Sequence, residues 1–290
     1  MPEGDTVHRT ADRLHRALAG RPVTRADLRW PSAPDVDLRG ATTLEVLARG
    51  KHVLHRFDTG STLHTHLRME GQWRVEHPGP RTDRTLRRQD LRAAVLTDEW
   101  SALGLRLGML DLVPTTHERD LVGHLGPDLL GPDWDPDRAR DALVAHDRTV
   151  VEALLDQRVL AGVGTFWASE ILFLDRLHPW TPAGQVDESR VDALLARLRR
   201  LMEAAVRTGW QMTTGIQRSG QEAYVHARSG RPCRRCGDTV RVAMAGRAPR
   251  ERTIFSCPTC QGGLAPTDDG RPQRPLGSTP GASGTYRRRP

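Results

Sequence analysis

The hydrophobic pattern divides the chain into a part rich in short strands and a part rich in helices. Near the start, helical spacing predicts a helix over residues 6–19, capped by Asp5 or Thr6, with a buried face of Val7, Ala11, Leu14 and Leu18. From residue 23 to 115, short apolar runs are separated by Gly, Asp and Pro turns: 44–47, 53–57, 63–67, 73–75 and 93–96. Regular short strands of this kind predict a β-sandwich or barrel.

The pattern changes to helices after a stretch rich in turn formers at 116–137, which we interpret as a linker. Helical periodicity then predicts helices over 138–145, 149–157, 166–177 and 189–207. The fold class is therefore α+β and multidomain. The expected domains are a β-sandwich with an N-terminal helix at 1–115, a helical domain at 138–225, a metal-binding hairpin at 226–261 and a tail at 262–290.

Composition and charge indicate the kind of partner. The chain has 290 residues, a formal net charge of +7 and a single lysine, Lys51, so we expect a polyanionic partner. Residues 262–290 are rich in Gly, Pro, Ser and Thr and carry five arginines against two aspartates, which predicts a disordered basic tail. No run of eighteen apolar residues and no hydrophobic leader is present, so we expect a cytoplasmic protein with no membrane contact.

Four cysteines give the most specific local pattern. Two Cys-x-x-Cys pairs are separated by twenty residues: Cys233, Cys236, Cys257 and Cys260. Four thiolates at this spacing suit one tetrahedral Zn²⁺ with no open position, so the metal would be structural. Residues 240–242 and 253–255 would form the strands of the hairpin between the pairs. Arg252 would begin the second strand, either as a phosphate contact or as a surface arginine.

The first residues carry candidate chemistry. Once Met1 is removed, Pro2 presents a secondary amine, and an α-amino group titrates near about 7.7–8.0, against about 10.4 for lysine. Such an amine can attack an aldehyde-like carbon and form an iminium, which acts as an electron sink. Glu3 is adjacent and can donate or accept a proton. The alternative is that Pro2 only keeps the terminus from fraying.

Three other places in the strand-rich part have two interpretations each. Lys51 enters a strand from a turn, where it is either a surface charge or a functional group, that is, a phosphate contact or a proton carrier. Met69 lies in a predicted turn, where it is either a core residue or a wedge that fills a gap in a base stack. His64 and His66 alternate along one strand and face the same side, and we interpret them as structural rather than as a metal site.

A glycine-containing turn joins two helices in the second half. Gly162 and Gly164 allow close approach of the backbone to a phosphate, and Thr165 can cap the following helix, whose N-terminus attracts anions. An ordinary helical hairpin would show the same pattern.

Taken in order, these motifs resemble the formamidopyrimidine-DNA glycosylase and endonuclease VIII family of base-excision repair enzymes. The resemblance covers residues 2–261, and the opening Pro-Glu-Gly-Asp-Thr-Val is most similar to the actinobacterial endonuclease VIII branch. Its segments are Pro2-Glu3-Gly4, Gly50-Lys51, His66 to Gly71, Leu155 to Glu170 and Cys233 to Cys260. The resemblance implies a helix–two-turn–helix DNA-binding domain at 138–225 and a zinc finger at 226–261.

The resemblance also implies a role for each matching residue. Pro2 would attack the sugar C1′, and Glu3 would donate a proton during opening of the sugar ring and release of the base. Lys51 and Arg252 would contact phosphates and assist elimination. Met69 would be the wedge, while Gly162, Gly164 and Thr165 would belong to the helix–two-turn–helix phosphate grip.

Three positions depart from the family pattern, and each bears on DNA affinity or lesion choice. Thr165 stands where Asn is usual, Glu251 stands where Gly precedes the zinc-finger arginine, and Arg68 and Glu70 replace smaller residues in the wedge loop. The segment 213–225 is short, whereas a long loop covers an oxidised purine in the formamidopyrimidine branch. We therefore expect oxidised pyrimidines as substrates.

The expected function is a DNA glycosylase with abasic-site lyase activity and β,δ-elimination, acting as a monomer on damaged double-stranded DNA. The competing hypothesis is a noncatalytic zinc-ribbon protein that binds damaged or structured DNA, which would have no need of a free Pro2 amine beside Glu3. An RNA-binding zinc-ribbon protein fits the charge and the cysteines but leaves Pro2 and Glu3 unexplained.

Overall fold

The computed structural model describes residues 2–31 and 37–273. The chain forms two compact units. The first comprises residues up to 134 together with 206–209, and the second comprises 135–205 and the chain from 210 onward. The domain limits expected from the sequence stay predictions, and the two units are described separately.

The described part of the first unit is a sandwich of two four-stranded antiparallel sheets with a helix at its start. Helix α1 spans Gly4–Leu18. The strands are β1 Arg25–Leu28, β2 Thr43–Arg49, β3 His52–Phe57, β4 Ser61–His66, β5 Gln72–Glu76, β6 Leu91–Leu96, β7 Ser101–Leu105 and β8 Met109–Pro114. One sheet has the order β2-β3-β4-β8 and the other β1-β6-β7-β5. Short helices α2 (Pro80–Leu86) and α3 (Glu118–Val122) complete the unit.

The core of this unit is formed by α1 and the facing sides of the sheets. Val7, Leu14 and Leu18 of α1 are buried with Phe57 and Leu110 from the strands. A smaller apolar cluster lies under α2, where Leu86 packs with Leu91, Leu103 and Leu105. The sheet β1-β6-β7-β5 therefore contributes to apolar clusters on both of its faces. This explains why every residue of β7 is buried.

The second unit is mainly helical and ends in a β-hairpin. Its helices are α4 Pro136–Val144, α5 Val150–Leu155, α6 Thr165–Leu174, most of α7 Glu188–Thr208 (residues 206–208 belong to the first unit) and α8 Pro258–Gln261, and its hairpin strands are β9 Arg241–Ala245 and β10 Arg252–Ser256. The sequence marks two helix starts clearly. Asp135 accepts a hydrogen bond from the Arg138 N–H, and Thr149 and Glu152 form a capping box.

The structure corrects the expected helix caps. Neither Asp5 nor Thr6 caps α1, because Glu3 occupies the N-cap position and its side chain makes no capping hydrogen bond. Likewise Gly164, not Thr165, is the N-cap residue of α6, and Thr165 lies in the first turn. Helix α1 begins one residue before Asp5, and helix α6 begins at Thr165 itself, so in both places the N-cap position precedes the polar residue chosen from the sequence.

The first part of the expected tail is ordered in the structure. Arg241 of β9 forms an ion pair with Asp268, whose side chain is buried. The Gln273 side chain accepts a hydrogen bond from the Val242 N–H at 2.8 Å and donates to the Val242 carbonyl at 3.0 Å. Residues 262–273 thus depart from the expected disorder, and residues 274–290 lie outside the described residues. No helix in the described ranges has the length and apolarity needed to span a membrane.

Acid should destabilise the first unit through His55. Its Nε2 lies 2.8 Å from Thr43 Oγ1, its ring stacks on Phe57, and burial lowers its pKa to about 3. Because an unfolded histidine titrates near about 6.5, the unfolded state binds the extra proton between pH 6.5 and 3, and stability falls as pH drops through that window. We expect a loss of about 1.4 kcal/mol per pH unit from this residue.

Urea unfolding at pH 7 and pH 5 measures this loss. His55→Gln has no titrating ring, so its free energy of unfolding should change by about 2 kcal/mol less than that of the wild type over this interval. An equal change in both proteins would contradict the assignment.

Candidate active site and nucleic-acid interface

Helix α1 places Pro2 and Glu3 at its N-terminal end. Glu3 is extended, with a φ of −121°, and its carbonyl accepts the Val7 N–H at 3.0 Å. Its side chain is fully buried, whereas Pro2 is half-buried. Pro2 therefore lies just before the helix, with the carboxyl group of Glu3 fixed beside it. The N-terminus of a helix also attracts anions such as phosphate.

Lys51 lies in a two-residue hairpin turn between β2 and β3. Gly50 takes a φ of +57°, which favours glycine, and Lys51 follows it directly before His52 begins β3. The Gly50 N–H donates to Asp128 Oδ2 at 2.7 Å. The turn that carries Lys51 is thus fixed from one side by a buried carboxylate.

Asp128 also reaches helix α1. Its Oδ2 lies 3.3 Å from His8 Nε2, and its Oδ1 accepts the Leu130 N–H at 3.0 Å. Burial alone would raise the pKa of Asp128, but the hydrogen bonds from His8, Gly50 and Leu130 outweigh it and hold the pKa below its usual value. One carboxylate therefore links the helix that begins beside Pro2 and Glu3 to the turn that carries Lys51.

A histidine network lies in the sheet next to Lys51. Nδ1 of His52 lies 2.7 Å from Nε2 of His64, and Nδ1 of His64 lies 2.9 Å from Asp111 Oδ2. The His66 ring packs edge-on against His52. Burial, together with neighbouring positive groups, lowers the pKa of His52 to about 3 and that of His66 to about 4. The cysteine cluster is the only group of three or more potential metal ligands in the described ranges. The short distances between the histidine nitrogens and Asp111 make the histidines a polar network.

Met69 lies at the tip of the loop 67–71 and is 66% exposed. It is therefore not a core residue. Close packing shapes the loop: a Cβ on Gly71 would lie only 2.4 Å from the Leu67 carbonyl oxygen. Glu70 forms an ion pair with Arg106 at 3.2 Å, which ties the loop to its neighbour between β7 and β8.

In the second unit, a glutamine side chain holds the turn between α5 and α6. Gln157 Oε1 accepts the Gly162 N–H at 3.0 Å, and its Nε2 donates to the Val163 carbonyl at 2.9 Å. Gly162 has a φ of +98°, in the region that favours glycine. Thr165 is only 7% exposed, so its side chain points largely into the protein.

Glu170 of α6 fixes the segment that follows α7. Its buried carboxylate accepts the backbone N–H groups of Tyr224, Val225 and His226 at 2.7–2.8 Å, and the Thr213 hydroxyl also donates to it. The sequence showed Glu170 only as part of a family motif, and its partners lie more than forty residues away. The short segment 213–226 is thus held at both ends by one side chain.

The four cysteines come together as predicted. Their sulfur atoms all lie within 4.8 Å of one another, with Cys233 Sγ 3.9 Å from Cys260 Sγ and Cys236 Sγ 3.4 Å from Cys257 Sγ. A tetrahedral ion with Zn–S bonds of about 2.3 Å places its sulfur atoms about 3.8 Å apart. The donor set and its spacing therefore fit one zinc ion.

Arg252 begins β10, opposite Ala245 of β9, and is exposed. Its Nη1 donates to the carbonyls of Arg250 and Glu251 at 3.3 and 3.2 Å. No carboxylate of a described residue forms an ion pair with it, so its charge is available to an anion. Arg252 and the glycine turn belong to the second unit, whereas Pro2, Glu3 and Lys51 belong to the first.

Two family models match the chain. The N-terminal domain of formamidopyrimidine-DNA glycosylase matches residues 1–102, and its H2TH domain matches residues 125–217. A probable endonuclease 8 2 from Streptomyces coelicolor is 49% identical, over 93% of this chain and 98% of its own length. A protein from Mycolicibacterium smegmatis named DNA-(apurinic or apyrimidinic site) lyase Nei2 is 42% identical, over 90% of this chain and 99% of its own length.

A solved structure shows the same fold. Formamidopyrimidine-DNA glycosylase from Lactococcus lactis, bound to DNA with an abasic site, superposes with a TM-score of 0.73 at 22% identity and covers 90% of this chain and 99% of its own.

Proposed function

The chain belongs to the formamidopyrimidine-DNA glycosylase family, and we propose that it is a bifunctional glycosylase and abasic-site lyase that removes oxidised pyrimidines from double-stranded DNA. The observation that carries the proposal is the placement of Pro2 and the buried Glu3 at the start of α1, linked through Asp128 to the Lys51 turn. Relatives named as an endonuclease and a lyase favour an enzyme over a noncatalytic binder. We expect a monomer that acts on chromosomal DNA, and hence in the cytoplasm at the nucleoid.

Base removal follows from these groups. The damaged nucleotide is extruded from the duplex, at a cost of about a few kcal/mol, and the exposed Met69 fills part of the vacated stack. The Pro2 nitrogen forms a bond to C1′ while the bond from C1′ to the base breaks, and the base leaves with its electron pair and takes up the proton that the Pro2 nitrogen gives up. Glu3 supplies the proton that helps open the sugar ring, which leaves Pro2 and C1′ joined as an iminium.

Strand cleavage uses the same iminium. It withdraws electrons from C1′, so a C2′ proton is lost and the 3′ phosphate leaves, and a second elimination releases the 5′ phosphate. Lys51 and Arg252 contact the departing phosphates and offset their negative charge. Gly162, Gly164 and the N-terminal turn of α6 at Thr165 hold the neighbouring backbone through N–H groups. Hydrolysis of the product iminium then frees Pro2.

The zinc ion is structural in this proposal. Cys233, Cys236, Cys257 and Cys260 would hold it with no open position, so it stabilises the hairpin and does not take part in the reaction. The chain supports the cluster from outside, because Gln261 Oε1 accepts the Cys257 N–H and its Nε2 donates to the Leu177 carbonyl, both at 2.9 Å. The hairpin that presents Arg252 is thereby joined to the helical part of the unit.

The choice of pyrimidines rests on the short segment 213–225. Thr213 N–H donates to the Glu222 carbonyl and Thr214 Oγ1 to the Gln221 carbonyl, so only about six residues form the free tip. A tip of this size covers less of a base than a long loop does. Single-turnover excision from duplexes with dihydrouracil, 8-oxoguanine or formamidopyrimidine should be fastest with dihydrouracil. Faster release of either purine would overturn the substrate assignment and leave the lyase chemistry intact.

Asp128→Asn should slow elimination without weakening DNA binding. Asp128 accepts N–H groups with both oxygens, and asparagine has only one oxygen, so its NH2 group must face either the Gly50 side or the Leu130 N–H. Either arrangement loses one of the hydrogen bonds that hold the Gly50 turn, and Lys51 shifts. A catalytic group displaced by about 1 Å costs up to about a hundredfold in rate. We expect kcat on a preformed abasic site to fall by roughly that factor and KM to stay unchanged.

Asp58→Asn is the matched control, because Asp58 accepts the Thr42 N–H at 2.8 Å in a turn of the same unit. If both variants lose kcat equally, Asp128 has only a general structural role.

A further inference from the structure

Helix α2 divides the outer face of the sheet β1-β6-β7-β5 into two clefts. On the β5 side lies a cleft of about 530 Å³, which we call the arginine cleft and which is lined by Arg74, Arg81, Arg84, Thr85 and Arg88. On the β1 side lies a cleft of about 470 Å³ lined by Arg25, Arg29, Asp83, Leu86 and Arg87. The arginine cleft is the more basic of the two, since no carboxylate lines it.

Nearby carboxylates balance only part of this charge. Glu76 lies 3.3 Å from Arg81, and Asp90 lies 2.7 Å from Arg88. Arg84 Nε donates to the Pro80 carbonyl at 3.4 Å, and neither Arg84 nor Arg74 forms an ion pair with a described residue. Two guanidinium groups therefore remain uncompensated in a concave surface, an arrangement that suits phosphate groups.

The arginine cleft is continuous with the Met69 loop. Arg106 contacts both Glu70 of that loop, at 3.2 Å, and Asp90, at 3.5 Å, while Asp90 contacts Arg88 of the cleft. Strand β5 begins directly after Gly71, so Arg74 lies only about 7 Å along the strand from Gln72. A chain of alternating charges thus leads from the loop to the cleft.

We propose that the arginine cleft binds the phosphodiester backbone of the duplex that flanks the damaged nucleotide on the side of the Met69 loop. The inference rests on the proposed function, since it requires that Met69 enters the DNA. It adds a contact outside the lesion site, with Arg74 and Arg84 each taking one phosphate. Flanking contacts of this kind hold the duplex in register while the nucleotide is extruded, and they carry no sequence preference.

Salt dependence of binding tests the proposal. Arg74→Ala/Arg84→Ala removes two unpaired charges, and Arg13→Ala/Arg200→Ala removes two exposed charges from α1 and α7 as a matched control. Affinity is measured for a duplex with a tetrahydrofuran abasic analogue and flanks of about ten base pairs, one helical turn. Each phosphate contact contributes about 0.9 to the slope of log Kd against log salt, so the cleft variant should lose about 1.8 from that slope. When the salt concentration rises fourfold, the cleft variant should therefore lose about twelvefold less affinity than the wild type loses.

A second duplex locates the contact. With flanks cut to about two base pairs, or about 7 Å, and closed by uncharged linkers that carry no phosphate, the cleft variant and the wild type should have equal slopes, because the duplex ends before the cleft. An unchanged slope on the long duplex, an equal loss in the control variant, or an equal loss on the short duplex would overturn the proposal. A polyglutamate peptide tests a different partner. If the cleft variant binds this peptide less tightly than the wild type but keeps the wild-type slope on DNA, the cleft binds an acidic protein segment and the proposal is overturned.

Borohydride trapping on a true abasic site separates this proposal from the proposed function. The cleft variant should still form the covalent adduct at saturating enzyme, because its changes lie outside the catalytic residues. Absence of the adduct from every protein, wild type included, would instead refute the proposed function.

Discussion

Extending the chain before Pro2 should abolish covalent trapping on abasic DNA. A variant that retains extra residues ahead of Pro2 converts its amine into an amide, which lacks the free electron pair needed to attack C1′. We expect the lyase rate to fall on the order of a thousandfold or more, as when the nucleophile of a covalent mechanism is removed. The measurement is borohydride reduction with an abasic duplex, followed by mass mapping of the adduct.

The composition of this chain makes the mapping decisive. Lys51 is the only lysine, so the N-terminal amine and Lys51 are the only two amines that can form a Schiff base. An adduct on the N-terminal peptide supports Pro2, whereas an adduct that persists in the extended variant and maps to Lys51 would transfer the role to that residue.

Glu3→Gln provides the companion variant, because it keeps the amine and removes only the proton donor. Excision of a damaged base should fall by about 10²–10⁴-fold, while trapping on a preformed abasic site persists.

Hydrophobic spacing predicted most of the fold, because the spacing that marks a helix or a strand lies within the element itself. The apolar runs at 44–47 and 53–57 lie within β2 and β3, and the long amphipathic pattern at 189–207 corresponds to α7. Strand β1, with the sequence Arg-Ala-Asp-Leu, has no apolar run and was missed. It exists because β6 supplies its hydrogen-bonding partner from more than sixty residues away, which no local pattern records.

In the candidate site too, the residues marked by local spacing were predicted and those that depend on distant contacts were not. The cysteine spacing predicted the cluster, because four thiolates in two pairs have few other uses. Asp128 was missed, since Gly126-Pro127-Asp128 has the composition of an exposed turn and only tertiary contacts with His8 and Gly50 give its carboxylate a role. Met69 could be placed neither in the core nor at a loop tip from its type alone, because methionine suits both environments.

Removing the metal should eliminate tight DNA binding. The hairpin carries few apolar contacts of its own: Val240, Phe255 and Cys257 pack with Phe173 and Val225 in one small cluster. Structural zinc contributes about 10–16 kcal/mol to the folding of small zinc domains, far more than such a cluster can replace. We expect Cys257→Ser to lose the zinc ion that the proposed function places in the cluster, to disorder the hairpin that presents Arg252 and to lower DNA affinity by at least about a hundredfold, or about 2.7 kcal/mol.

Thr259→Ala is the control, because Thr259 lies between the last two cysteines and its hydroxyl donates to Asp238 without belonging to the cluster. It should keep one zinc ion per chain by elemental analysis and should bind DNA like the wild type. The first unit has its own core, so Cys257→Ser should retain the urea transition that responds to pH through His55 while losing DNA binding. Wild-type affinity in a metal-free variant would show that Arg252 reaches the phosphates without the ion, and the zinc would then have no role in DNA binding.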